Sequence, residues 1–148
     1  MSQLVEAWHG IMCEIERRAA MSEFASPFDA LYKRALLHAQ NREHAEAIDA
    51  FTEALRHAPE YADAYVRRGM CYAALNDLER AVQDYSRAIE LEPEHAGAYY
   101  WRAGAWLRLK EWKKAAADRA LAVQYGSEDA LAIDRIMEDY KRAWEVLG

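Results

Sequence analysis

Residues 62–95 read ADAYVRRGMCYAALNDLERAVQDYSRAIELEPEH, and this stretch decides the fold. Tyr65 and Tyr72 lie seven residues apart, two helical turns, so they share one face of a first helix with Gly69 between them. A residue as small as Gly69 lets another helix approach closely. Ala81, Tyr85 and Ala88 form the matching stripe on a second helix, its large residue facing the small one. Pro93 stops that helix, because proline cannot continue the amide ladder and restricts the residue before it. The stretch therefore predicts helices over 62–74 and 78–91.

Moving outward in steps of 34 finds the pattern again on both sides. Tyr65 aligns with Leu31 and Tyr99, Gly69 with Ala35 and Ala103, and Tyr72 with His38 and Trp106. Ala81 aligns with Ala47 and Ala115, Tyr85 with Phe51 and Arg119, Ala88 with Ala54 and Ala122, and Pro93 with Pro59 and Ser127. A period of this size marks a stacked repeat architecture. Three units follow, 28–61, 62–95 and 96–129, with helices predicted at 28–40, 44–57, 96–109 and 112–125. Ser26, Pro27 and Asp29 form a start signal for the first: an N-cap, a proline at the first helical position and an acidic residue at the third.

Small at repeat position 8, aromatic at 11, alanine at 20 and 27, aromatic at 24 and proline at 32 resembles the signature of the tetratricopeptide repeat (TPR) family. Residues 62–95 fit at every one of these positions. The first unit departs at His38, the third at Arg119 and Ser127. The resemblance implies an all-α fold, a right-handed superhelical solenoid of three helix-turn-helix units. It also implies that the first helix of each unit lines a concave groove. The ligand-facing residues would be Asp29, Tyr32, Lys33, Leu36, Ala39 and Gln40, then Asp63, Val66, Arg67, Met70, Ala73 and Ala74, then Gly97, Tyr100, Trp101, Gly104, Leu107 and Arg108. Family members that clamp the acidic tails of the chaperones Hsp70 and Hsp90 carry Lys, Asn and Arg at five of these places. Here those places hold Tyr32, Leu36, Arg67, Gly97 and Trp101, and none matches.

A stacked array leaves an apolar face bare at each end, so solenoids need caps. Ile133, Ile136, Met137, Tyr140, Trp144 and Leu147 recur at helical spacing and predict a capping helix over 128–147, with Ser127 as its N-cap. Leu4, Trp8, Ile11, Met12 and Ile15 form an apolar stripe, backed by Glu6, Glu14, Glu16, Arg17 and Arg18, that predicts a helix over 3–19. Residues 1–26 thus form an N-terminal element. Its roles remain open: a cap, a segment lying in the chain's own groove, a contact for a weak homodimer, or an appended segment ahead of Met21.

Arg34, Arg68 and Arg102 share repeat position 7, and Asp84 and Asp118, both at position 23, offer the latter two a partner on a facing helix. A structural ion-pair ladder is the expected meaning, because half-buried arginine is usually paired. The chain has 148 residues, 53% of them apolar, and a net charge of −6, the balance of one folded acidic domain. An acidic chain with a pI near 5.4 argues against nucleic acid as partner. Cys13 and Cys71 form no C-x-x-C pair, so no zinc site is expected and a cytoplasmic setting is. No run is long and apolar enough for a membrane span. His9, His38, His44, His57 and His95 have no metal-ligand spacing, and no phosphate loop or nucleophile elbow occurs. The expected function is non-catalytic, without cofactor: an adaptor or scaffold holding an apolar helix or peptide, with Trp101 and Tyr100 as anchors and Lys33, Arg67 and Arg108 pairing flanking carboxylates. Two alternatives stand beside it, a three-TPR secretion chaperone and a structural oligomer built through the end helices.

Overall fold

In a computed structural model of the chain, residues 2–23, 26–129, 135, 137–139, 141–142 and 145–146 are described. Seven helices are bounded among them: α1 (Ser2–Glu23), α2 (Pro27–Gln40), α3 (His44–His57), α4 (Ala62–Ala74), α5 (Leu78–Leu91), α6 (Ala96–Arg108) and α7 (Trp112–Gln124). The six repeat helices fall within a residue of the ranges set by the 34-residue period. Ser26 closes a full capping box: its hydroxyl accepts from the Asp29 amide at 3.2 Å, and the Asp29 carboxylate accepts from the Ser26 amide at 3.3 Å.

Helices pack in pairs, α2 on α3, α4 on α5 and α6 on α7. The pairs stack through α3 on α4 and α5 on α6, and α4 also touches α6. This is the solenoid that the repeat implies. The core is accordingly a file of small clusters along the stack. Ala35, Ala47, Ala50, Phe51 and Leu55 meet Ala64 and Cys71 of the next pair, and Val66, Ala81, Tyr85 and Ala88 meet Ala98 and Ala105.

The small-against-large rule is literal at the centre. A Cβ on Gly69 would stand 2.7 Å from Cε1 of Tyr85, whose ring is 1% exposed. The two helices are as close as a bare backbone permits. Burial, ahead of the nearby Asp84 charge, pushes the Tyr85 hydroxyl well above the usual phenol range.

The arginine ladder ties neighbouring pairs together. Arg68 donates from Nε and Nη2 to both oxygens of Asp84 at 2.7 Å, and from Nη1 to the Thr52 hydroxyl at 3.1 Å. Arg102 repeats the arrangement on Asp118, at 2.6 and 2.7 Å, and on Ser86 at 3.1 Å. Each guanidinium thus spans three helices, from α3 to α5 through α4 and from α5 to α7 through α6. Asp84 and Asp118 are buried, and burial raises the Asp84 carboxyl while Arg68 pulls it back down. Arg34 has Ala50 at the corresponding partner position and is exposed.

Each turn inside a pair carries one residue in the left-handed region, Arg42, Asn76 and Lys110, with φ of 62°, 63° and 62°. The following amide then reaches back to close the helix, Glu43 to the His38 carbonyl, Asp77 to Tyr72 and Glu111 to Trp106, each at 2.9 Å. Asn tolerates this backbone; Arg and Lys adopt it at a cost of about 1–2 kcal/mol. The third pair ends differently from the others: Gly126, with φ 95°, turns the chain after α7 where Ala58 and Glu92 have φ of −140° and −133° in the other units.

The ends depart from expectation: Glu128 and Asp129 form a turn and not the first residues of a helix over 128–147 that starts at Ser127. The described residues between 135 and 146 are helical, and Met137 packs on Ala103, Leu107 and Ala115 as a cap residue should. Ile133, Ile136, Tyr140, Trp144 and Leu147 lie outside the described residues. Helix α1 is longer than 3–19, and it does not cap the array. Leu4, Val5, Trp8, Ile11, Met12 and Ile15 are exposed, and α1 forms no packed interface with α2–α7 among the described residues.

Three stability outcomes follow. Arg68→Ala strands a buried carboxylate and should cost about 3–5 kcal/mol in urea unfolding, whereas Arg34→Ala should stay within about 0.5 kcal/mol. Gly69→Ala should destabilise by about 1–2 kcal/mol despite alanine's better helix propensity, because the Tyr85 ring has no room to yield. Lys110→Gly should stabilise by up to about 1 kcal/mol, seen as a rise of about 2–4 °C in Tm.

Candidate functional site

Because α2, α4 and α6 are the first helices of their pairs, one face of the array is built chiefly from them. Two recesses open there. The first, of about 370 Å³, is lined by Leu36, Ala39 and Gln40 of α2, by Arg67, Met70, Cys71 and Ala74 of α4, and by His44 at the start of α3. The second, of about 330 Å³, lies between α4 and α6 over Ala73, Trp101, Gly104, Ala105, Leu107 and Arg108, with Tyr85 at its floor. Both have chiefly apolar walls, made by alanines and glycine that keep the helices' flanks low. Gly104 has open space where a Cβ would stand, so its absence of a side chain shapes the recess and not the packing.

Most of the residues implied to line the groove gather here, with three corrections. Val66 is 4% exposed and belongs to the core between α4 and α6, so it does not face a ligand. Its β-branched side chain falls on the stacking side of α4. Tyr32 is tied into an aromatic cluster, stacked on Phe28 at 5.4 Å and edge-on to Phe51 and Tyr61 at 5.8 and 5.4 Å, while its hydroxyl donates to Asp63. Burial, then that carboxylate, raises its pKa well above the phenol range. Arg108 is also committed: it donates to the Ala73 carbonyl at 2.8 Å and to Asn76 Oδ1 at 2.9 Å, closing the end of α4.

Leu36, Met70, Trp101 and Gly104 do stand on the groove. Trp101 is 40% exposed and meets Tyr100 edge-on at 5.1 Å, so its position is held while one side stays open. Lys33 is exposed at the edge, and Arg67 makes a partly exposed pair with Asp63 at 3.3 Å. The sequence reading missed His44, Cys71, Tyr85 and Ala105. These sit at positions that pack the core in most of their surroundings and reach the groove only where two pairs diverge, and no periodic signal marks that. Burial pushes the Cys71 thiol up, which makes it an inert wall group. The Nδ1 atom of His44 is buried without a hydrogen-bond partner among the described residues.

No group of three or more His, Cys, Asp or Glu suited to a metal ion occurs among the described residues, and no helix among them is long and apolar enough to cross a membrane. Stacked helix pairs with a two-recess groove on one face define the class, a helical repeat scaffold. The tetratricopeptide repeat profiles match residues 28–61 and 62–95, and the chain belongs to this family. No curated protein matches the sequence. Among solved structures the chain is similar to the TPR domain of Arabidopsis OM64, with a TM-score of 0.73 and 21% identity over 76% of this chain and 95% of that one. It is also similar to the TPR2B domain of yeast Sti1 in complex with pHsp70, with a TM-score of 0.72 and 24% identity over 78% and 97%. The Sgt2 TPR domain of Aspergillus fumigatus gives a TM-score of 0.71 and 26% identity over 81% of each chain.

Removing the indole at the second recess offers a direct check on its structural weight. Trp101→Ala should leave Tm within about 2 °C of wild type in a thermal melt, since a side chain this exposed contributes little to the core.

Proposed function

We propose that the chain is a non-catalytic adaptor, in a cytoplasmic setting, whose groove binds an apolar helix or extended apolar segment of another protein. The observation that carries this reading is the pair of apolar recesses flanking α4 with Trp101 exposed at the second. A ligand that places one large apolar side chain in each recess gains burial at two points, and the aromatic wall concentrates the energy at Trp101. Lys33 and the exposed part of Arg67 are the cations available to flanking carboxylates, with Arg108 withdrawn from that role by its bonds to α4.

Tail recognition of the clamp type does not suit this groove. The Sti1 domain is seen with an Hsp70 peptide, but the five places that would hold a carboxylate here carry Tyr32, Leu36, Arg67, Gly97 and Trp101. One of them, Tyr32, is locked to a carboxylate of its own, which would repel another.

Selection of random displayed peptides on the immobilised chain should enrich large apolar residues at helical or alternating spacing. By calorimetry, the selected peptides should bind Trp101→Ala and Met70→Asp about thirtyfold or more weakly than wild type. An acidic chaperone-tail peptide should give no measurable heat. Enrichment of acidic tails, or full affinity in both variants, would overturn the reading.

A further inference from the structure

We propose that one occupant of the groove is helix α1 of a second copy of this chain, so that copies join head to tail. This rests on the groove reading above and names a partner for it. Helix α1 presents Leu4, Trp8, Ile11 and Ile15 along one side, 69%, 66%, 57% and 53% exposed, with Val5 and Met12 beside them. An apolar stripe about three turns long is far more than the scattered surface residues of an ordinary monomer. Nothing in α2–α7 covers it among the described residues.

Charge selects among the surfaces that could. Helix α1 carries Glu6, Glu14, Glu16 and Glu23 against Arg17 and Arg18. The groove carries Lys33, Arg67 and Arg108 against Asp29 and Asp63, a balance of one positive charge, since the Ala73 carbonyl and Asn76 that hold Arg108 are neutral and leave its charge in place even though its N–H groups are committed. An acidic amphipathic helix therefore meets its complement in the groove, whereas two α1 helices paired side by side would bring like charge together. The chemistry of the first recess agrees: Leu36, Ala39, Met70 and Ala74 give it an apolar wall able to take a large side chain of the α1 stripe. The chain's own α1 stands clear of its own groove, joined to α2 by residues 24–26 alone.

Helix and groove are different patches, so the contact is heterologous. Each joined copy still offers one free helix or groove, and assembly proceeds to rings or open chains instead of stopping at two.

Light scattering on the full chain across concentrations, with variants that each break one side, decides the matter. Wild type should grow past twice 17.0 kDa as concentration rises. Trp8→Asp and Trp101→Asp, each confirmed as folded by circular dichroism, should both remain monomers. Mixed in equal amounts they should form a dimer and go no further, because the intact α1 of one meets the intact groove of the other. A Trp101→Asp chain that assembles like wild type would overturn the proposal in favour of α1–α1 pairing. A wild-type monomer at every concentration would overturn it as well; if that monomer still takes the selected apolar peptides, the groove reading stands alone, and if it does not, both fall.

Discussion

The close approach of α4 and α5, an aromatic ring laid on the bare backbone of Gly69, is the contact from which the rest of the architecture follows. Two helices that meet this tightly leave no space for water and fix their own spacing. The small-against-large pairing recurs in the first unit, where Ala35 and Phe51 share one buried cluster. A repeated pairing with a repeated turn gives a stack whose first helices fall on one face. The groove is the by-product of that packing.

Stacking apolar faces fixes closeness but not register, and the arginine clasps supply the register. Arg68 and Arg102 are each held by a bidentate carboxylate in the same pair and reach a hydroxyl in the preceding one, so a pair that slides past its neighbour breaks the bond to that hydroxyl. The cost of burying these charges is offset only when all their partners are in place. The first unit, with Ala50 where the others have Asp, has no such clasp and relies on the Phe28, Tyr32, Phe51 and Tyr61 rings. Aromatic packing at the open end and ion pairs within the stack are two solutions to the same problem.

The two ends of the array are unequal for a related reason. Met137 packs on the cluster that α6 and α7 share, covering part of it. At the other end the short connector and the capping box at Ser26 start α2 cleanly, without turning α1 back onto it. A helix freed in this way keeps its apolar stripe for another surface, and the charge balance of the groove suits it.

The sequence by itself determined the repeat, its helices to within a residue, and the partners of Arg68 and Arg102, because these depend on spacing within one unit and on residue size. It also determined that the groove lacks a cationic clamp, which is a matter of residue identity. Only the tertiary structure decided which groove positions are open. Val66 turned into a stacking face, Tyr32 into an aromatic cluster and Arg108 onto the end of α4, while His44, Cys71, Tyr85 and Ala105 came to line the recesses. The same holds for α1, whose amphipathic pattern predicts a helix but not what it touches. A periodic pattern specifies a helix's faces; which face meets a neighbour depends on the angle and distance between helices, and no single helix's sequence contains these.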